Sequence, residues 1–357
     1  MKPLFLLALL SFSGKIGAQE TITLLFAGDL MQHAGQISAA KTPNGYDYSS
    51  YFEALKDEIS QADIAVANLE VTLGGKPYTG YPQFSAPDEY LYAIKEAGFD
   101  VLLTANNHCL DRRQKGLERT VFLLDSLRLQ HLGTYKDRCQ RLRSYPLIIE
   151  KSGFRIALLN YTYDTNGIKV TEPNVVNYID KEQMKKDIFA ARCARPDAII
   201  ACMHWGIEYQ SLPRQAEREL AEWMIRQGVD HIIGGHPHVL QPIEVKEEEW
   251  TPAKHVVVYS LGNFVSNMRK TDTDGGIMVK LKLKKIVGIT QVEDCAYTFV
   301  WTSSPRLSGR KNFMLYPASY INRDLKQEEY KYFNMFLARA RNLYERYNKG
   351  IKEYEVE

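Results

Sequence analysis

Two histidines separated by one residue follow a pair of glycines in the run Gly234-Gly235-His236-Pro237-His238. A short apolar stretch precedes this run, which predicts a buried strand that ends in a tight turn. Imidazole is the commonest metal-binding side chain, and glycine lets the backbone approach an ion closely. The turn is therefore predicted to form part of a metal site.

Other predicted strands end in residues of the same kind. These are Asp29, Glu70, Asn107 with His108, and His204. Ligands lie at the carboxyl ends of strands in open parallel sheets, so we expect these side chains to meet at one edge. Each has a structural alternative, such as a helix N-cap or a turn residue. Agreement among five strand ends favours a site for zinc, manganese or iron over calcium.

Alternating apolar strands and amphipathic helices must position these residues. The predicted strands are 21–27, 64–68, 101–104, 155–160, 197–203, 231–233 and 256–261, and the predicted helices are 51–61, 89–97, 116–127, 180–192 and 214–227. This alternation predicts an α/β fold with a buried, largely parallel sheet. Beyond residue 267 the pattern predicts a β-hairpin and a long, tyrosine-rich helix over 325–347.

The order of these segments resembles the calcineurin-like metallophosphoesterases. It is more similar to their relatives, the CapA-type (PgsA) poly-γ-glutamate capsule biosynthesis proteins. The resemblance is carried between residues 25 and 267 by Gly28-Asp29, Asn68-Leu69-Glu70, Asn106-Asn107-His108, His204-Trp205-Gly206, Gly235-His236-Pro237-His238 and Ser260-Leu261-Gly262-Asn263. It implies a four-layer αββα sandwich over 19–270, with the C-terminal β-hairpin and long helix of 271–357 packed on the same domain.

The resemblance also implies a set of metal ligands. They are Asp29, Glu70, Asn107, His204, His236 and His238. The family's first strand carries Asp-x-His, but here the third position is Met31, a poor ligand for a hard divalent ion. His33 lies two residues further on and is either a ligand that reaches into the site or, as we predict, a surface histidine at the start of a helix. We therefore expect one strong metal site and a weak second site.

The strong site would keep Asn107, His204, His236 and Glu70, and the weak site would keep Asp29, Glu70 and His238. By the same resemblance, His108 is the general acid and Asp111 orients it. Glu208 follows His204 by four residues and is either a base, an amine-binding carboxylate or a helix cap. Gln241 and Asn263 are expected to hydrogen-bond an amide or carboxylate substrate.

Three functional hypotheses follow. The first is a metal-dependent hydrolase or transferase that acts on amide or phosphoester bonds of a polymer such as poly-γ-glutamate, or of a small substrate. The second is a non-catalytic, polymer-binding component of an export machine. The third, a plain calcineurin-type phosphodiesterase, is disfavoured by Met31. The chain has no phosphate-binding loop followed by Lys-Ser/Thr, so membrane-bound capsule synthesis proteins would supply ATP-driven polymerisation.

Charge, the N-terminal segment and the cysteines indicate the class of partner and the cellular location of the protein. The chain has 45 basic and 43 acidic residues among 357, and this balance argues against nucleic acid as a partner. Residues 1–18 contain a basic residue near the N-terminus, then an apolar run, then small residues at the expected cleavage site. This pattern predicts a signal peptide or an uncleaved anchor. We therefore expect export to the periplasm or cell surface of a bacterium. The five cysteines form no C-x-x-C motif and permit one disulfide that sequence cannot assign.

Overall fold

The computed structural model describes residues 20–247, 253–320 and 325–356. The predicted signal peptide lies outside these residues. Within them, no helix is long and apolar enough to cross a membrane. All five cysteines are free thiols, and Cys109, Cys202 and Cys295 are buried.

The described strands are numbered in chain order. They are β1 (Glu20–Leu30), β2 (Lys41–Thr42), β3 (Gly45–Tyr46), β4 (Ile64–Leu69), β5 (Val101–Leu103), β6 (Gln130–Leu132), β7 (Thr134–Tyr135), β8 (Leu147–Lys151), β9 (Phe154–Thr162), β10 (Val175–Val176), β11 (Ala198–His204), β12 (His231–Gly235), β13 (Ile243–Glu247), β14 (Lys254–Val258), β15 (Asn263–Val265), β16 (Gly275–Ile286), β17 (Ile289–Ser303), β18 (Met314–Pro317) and β19 (Lys352–Glu353).

The α-helices are numbered in the same way. They are α1 (Ala34–Ala40), α2 (Lys56–Ser60), α3 (Asp88–Glu96), α4 (Arg113–Ser126), α5 (Arg138–Ser144), α6 (Lys181–Cys193), α7 (Gln215–Gln227), α8 (Pro305–Ser308) and α9 (Gln327–Tyr347). The helix predicted over 51–61 is shorter, because two 3₁₀ turns replace its first half. These turns place the rings of Tyr51 and Phe52 in an apolar cluster.

Two large sheets form the centre of the molecule. In the described residues the first sheet has nine strands. Seven of them follow the order β18-β17-β16-β1-β4-β5-β6, and the other two are β15, which pairs with β1, and β19, which pairs with β17. The second has six, in the order β13-β14-β12-β11-β9-β8. Parallel strands form one side of the first sheet, namely β1-β4-β5-β6, and the middle of the second, namely β9-β11-β12-β14. The predicted parallel strands are present, and hairpins add antiparallel strands to both sheets, so each sheet is mixed.

Alternation along the strands of the first sheet separates two apolar layers. Ile22, Leu24 and Phe26 of β1 pack in the core shared with the second sheet. Leu25 and Ala27 of the same strand pack in a different cluster, together with residues of α3. Because successive strand residues point to opposite faces, each face of this sheet is covered. Helices α6 and α7 pack on the second sheet, and the predicted four-layer sandwich is confirmed.

The C-terminal part of the chain joins the same core. Strand β16 pairs antiparallel with β1 along eight residues, from Glu20↔Lys285 to Ala27↔Met278. Helix α9 packs its apolar stripe against β17, where the ring centroids of Tyr344 and Tyr297 are 4.8 Å apart. This arrangement makes the predicted C-terminal hairpin a continuation of the first sheet.

Candidate metal centre

The candidate ligands lie where the carboxyl ends of the two sheets come together. The first sheet supplies Asp29 from β1, Glu70 after β4, and Asn107 and His108 after β5; the second supplies His204 from β11 and His236 and His238 after β12. All are buried. The site therefore joins two sheet edges, whereas the sequence suggested a single edge.

Glycines allow these segments to approach one another. A Cβ atom at Gly28 would lie 2.1 Å from the carbonyl oxygen of Gly262, and one at Gly235 would lie 3.0 Å from Asp29 Oδ1. His236 and His238 have φ values of 97° and 58°. Strained backbone of this kind clusters at functional sites, where the surrounding structure holds it in place.

The Asp29 carboxylate is held by polar neighbours. Asn68 Nδ2 donates to Asp29 Oδ1 at 2.8 Å, and His238 Nδ1 lies 3.4 Å from Asp29 Oδ2. Burial raises the pKa of Asp29, but the contacts with His238 and Asn68 outweigh burial, so the net shift is downward. Asp29 is therefore a charged ligand at neutral pH.

Glu70 differs from Asp29 in having no hydrogen-bond partner. Its side chain is 0% exposed, and neither carboxyl oxygen makes a hydrogen bond to any described residue. Oε1 lies 3.5 Å from His204 Nε2 and 3.7 Å from His238 Nε2. Burial, together with the charge of Asp29, raises the pKa of Glu70 well above its ordinary value. A buried carboxylate without donors needs a cation to be stable as an anion.

His204 and His236 are in the neutral form that ligates metals. Burial and the neighbouring His236 lower the pKa of His204 well below its ordinary value. Burial and His238 lower the pKa of His236 to about 3. The Nδ1 atom of His236 is buried and has no partner among the described residues. This nitrogen is therefore available to a ligand from outside the protein chain.

These residues fit a divalent metal ion. Two triplets of residues each offer three ligand atoms, one per residue, that lie within 4.8 Å of one another. The first triplet is Glu70, His236 and His238, and the second is Asp29, Glu70 and His204. The mixture of imidazole and carboxylate suits zinc, manganese or iron. Glu70 belongs to both triplets, whereas the histidines are divided differently from the expected strong and weak sites. Asn107 Oδ1 contacts His204 Nε2 at 2.8 Å.

Met31 contributes nothing to this centre. Its side chain packs in the apolar cluster on the outer side of the first sheet, and its carbonyl accepts from Gln36 and Tyr90. His33 precedes α1, as predicted, and its Nδ1 accepts from the Asn267 amide at 3.3 Å. His33 is only partly exposed, however, and burial lowers its pKa to about 4.

His108 and Asp111 form a pair beside the centre. His108 Nδ1 donates to Asp111 Oδ2 at 2.8 Å, and the same oxygen accepts the Phe84 amide at 2.7 Å. The Phe84 ring packs edge-on against His108, with the centroids 4.6 Å apart. With Nδ1 occupied, Nε2 is the nitrogen of His108 that remains for a substrate.

A cleft of about 470 Å³ opens beside this pair. Asn107, His108, Asp111 and Glu208 all line it, so Glu208 faces the same space as the predicted acid. The cleft is large enough for one small ligand or a short polymer segment.

Gln241 and Asn263 are engaged with the protein. Gln241 Nε2 donates to the Gln210 carbonyl at 2.8 Å. Asn263 Oδ1 lies 3.1 Å from His238 Nδ1, and its Nδ2 donates to the Thr273 carbonyl at 2.9 Å. These contacts position the histidine turn, and a substrate-binding role for either residue stays a prediction.

Sequence reasoning missed three site residues. Asn68 bridges Asp29 and His204, with its Nδ2 3.3 Å from His204 Nδ1. The Tyr163 ring lies 4.5 Å from the His236 ring, and Asn166 Oδ1 accepts from Asn107 Nδ2 at 3.1 Å. Of these three residues, Asn68 alone carried a signal in the sequence, because it is a polar residue in an otherwise apolar strand.

Replacing Asn68 with alanine is expected to weaken metal binding by about 10- to 100-fold, the effect typical of residues that orient ligands. Asp29 and His204 would both lose a contact that sets their orientation. Competition with a chelator measures the change. Asn174→Ala is the control, because this buried asparagine bonds Glu118 and the Lys136 carbonyl instead. Equal affinity in wild type and Asn68→Ala would contradict the assignment.

Comparison with known proteins agrees with this geometry. The sequence profile of the family described as "Bacterial capsule synthesis protein PGA_cap" matches residues 23–268. "Capsule biosynthesis protein CapA" of Bacillus anthracis is 28% identical over 280 residues, covering 74% of this chain and 64% of the relative. "PGA biosynthesis protein CapA" of Bacillus subtilis is 29% identical over 286 residues, covering 76% and 70%. The match thus spans less than two thirds of the Bacillus anthracis relative.

Among solved structures, the NAD nucleotidase NadN of Haemophilus influenzae superposes with a TM-score of 0.50 at 12% sequence identity. The superposition covers 91% of this chain and 67% of that protein. At this identity the likeness concerns the fold alone.

Proposed function

The chain belongs to the PGA_cap family of bacterial capsule synthesis proteins, and from this premise we propose that it is a metal-dependent hydrolase or transferase of capsule or surface-polymer biosynthesis. Its substrate would be a poly-γ-glutamate-like chain, cleaved or transferred at an amide or phosphoester bond. The names of two relatives refer to capsule and PGA biosynthesis, which supports this polymer class. We further propose that the predicted signal peptide directs the protein out of the cytoplasm.

The observation that carries this proposal is the Glu70 carboxylate. It is fully buried, has no hydrogen-bond partner among the described residues, and lies beside His204 and His238. Such a group is costly without a cation, so its presence argues for a site built to hold one. A divalent ion held there would polarise a substrate oxygen and provide an activated water.

The protein's own residues would do the rest. Asp29, Glu70, His204, His236 and His238 would hold the metal. His108, with Nδ1 fixed by Asp111, would protonate the leaving atom from Nε2. Glu208 lines the same cleft and would accept a proton or bind an amine of the substrate.

Two alternatives make different predictions. A non-catalytic polymer-binding component would not need the His108–Asp111 pair. A plain two-metal phosphodiesterase would need a further imidazole at the position of Met31, and that side chain packs away from the centre.

The test begins with metal analysis of the protein purified from an exporting bacterium, with the mature N-terminus determined in the same preparation. Hydrolysis of a γ-glutamyl amide and of a phosphodiester is then measured with added manganese or zinc. We expect His204→Ala to lose both metal and activity, and His131→Ala, which removes a histidine paired with Asp125 elsewhere, to keep both. Metal content unchanged in His204→Ala would overturn the proposal.

A further inference from the structure

A groove lies between the loop after β15 and the segment that contains α8. Two adjoining clefts of about 290 and 340 Å³ share Asn267, Arg269 and Arg306, so they form one continuous groove. Trp301 and Phe313, both buried, contribute to its apolar floor. No residue of the proposed metal centre lines it.

The rim of the groove is strongly basic. Five cations and one carboxylate line it, and they are Arg269, Lys270, Arg306, Lys311 and Arg339, against Asp274. Arg339 already pairs with Asp274 and with the neighbouring Asp272.

Three of the remaining cations are free to bind a ligand. Arg269, Arg306 and Lys311 are exposed, and in residues 20–247, 253–320 and 325–356 they form no ion pair. The exposed Asp47 is within electrostatic reach of Lys311, but it does not line the groove. An excess of unpaired positive charge in a cleft concentrates anions.

One end of the groove is linked to the metal centre through the side chain of Tyr209. Lys270 Nζ lies 3.5 Å from the centroid of the Tyr209 ring, and that ring is 6.3 Å from the ring of His238. Asn263 connects the same regions, since it contacts both His238 and the Met268 sulfur. This end of the groove is therefore separated from His238 by single side chains, those of Tyr209 and Asn263.

We propose that this groove binds an extended polymer with regularly spaced carboxylates and leads it to the metal centre. The choice of a polymer substrate rests on the proposed function, whereas the requirement for negative charge rests on the groove itself. The cations would pair with successive carboxylates, and the apolar floor would contact the methylene groups between them. An uncharged polymer of the same length gains none of the ion pairs.

The experiment measures binding of a fluorescently labelled linear glutamate oligomer to the full chain. The test variant is Arg269→Gln, Arg306→Gln and Lys311→Gln combined. The matched control removes the same charge from α6 and the residues after it, on the second sheet, by Lys185→Gln, Lys186→Gln and Arg195→Gln. A labelled glutamine oligomer and a labelled polyphosphate are the comparison ligands, and His204→Ala reports on the metal centre.

We expect the groove variant to bind the glutamate oligomer about tenfold more weakly, because each exposed ion pair contributes modestly. The control and His204→Ala should bind normally, added salt should weaken wild-type binding, and the glutamine oligomer should not bind. Equal binding by groove variant and wild type, an equal loss in the control, or preference for polyphosphate would overturn the inference. If hydrolysis did not depend on metal while the glutamate oligomer still bound to the groove, only the proposed function would be overturned.

Discussion

Replacing His108 with alanine is expected to reduce turnover of the hydrolysed substrate by about 10²- to 10⁴-fold, the usual contribution of a positioned acid. The metal content should not change, because His108 belongs to neither ligand triplet. Turnover and bound metal are measured on the same preparation.

The geometry explains why the effect should be confined to turnover. His108 Nδ1 donates to Asp111 Oδ2 at 2.8 Å, which holds the ring and leaves Nε2 for the leaving atom. Asp111→Asn should therefore lower turnover less than His108→Ala, because the ring loses a partner that positions it but keeps its Nε2. If His108→Ala turns over every tested substrate as wild type does, His108 is not the general acid; if neither protein turns over any of them while both bind metal and polymer, the non-catalytic interpretation is favoured.

Replacing Glu70 with glutamine is expected to weaken metal binding but to stabilise the metal-free protein. The affinity for metal should fall at least ~100-fold, because Glu70 belongs to both ligand triplets. In chelator-treated protein the same change should raise the free energy of unfolding by about 1–3 kcal/mol. It replaces a buried carboxyl group, whose ionised form has no donor among the described residues and is repelled by Asp29, with a group that cannot ionise.

Thermal unfolding of both proteins, with and without manganese or zinc, measures this difference. Added metal should stabilise wild type by roughly 2.7 kcal/mol at a hundredfold excess over its dissociation constant, and should stabilise the variant by no more than ~0.4 kcal/mol. The control is Glu329→Gln, because Glu329 is equally buried but accepts from Ser303 and Arg310. That control should be destabilised under both conditions. A Glu70→Gln variant that is stabilised by metal as strongly as wild type would contradict the assignment.

Local patterns in the sequence were sufficient for most elements of the fold. Strands β4 and β11 and helices α3 and α6 begin and end within about two residues of their predicted bounds, since uninterrupted apolar runs and amphipathic periodicity are local properties. The helix over 51–61 was overestimated, because packing of Tyr51 and Phe52 in the apolar cluster favours 3₁₀ turns there. Packing of that kind depends on distant residues such as Phe264 and Phe313.

The sequence by itself determined which residue types stand at the strand ends, and hence the donor atoms available to a metal. Their chemistry is a property of the side chains and needs no fold to be recognised. The sequence also determined that a methionine, Met31, follows Asp29 by two residues, where the resemblance stated above implies a histidine.

Only the tertiary structure decided how these donors are combined. Asp29 and Glu70 come from one sheet and His204, His236 and His238 from the other, so their distances depend on how the two sheets pack. The same packing places Asn68 between Asp29 and His204, buries Glu70 without a donor, and leaves Arg269 and Arg306 without an ion pair in one groove, as far as the described residues extend. These relations join residues far apart in the chain, and local sequence patterns carry no information about such distances.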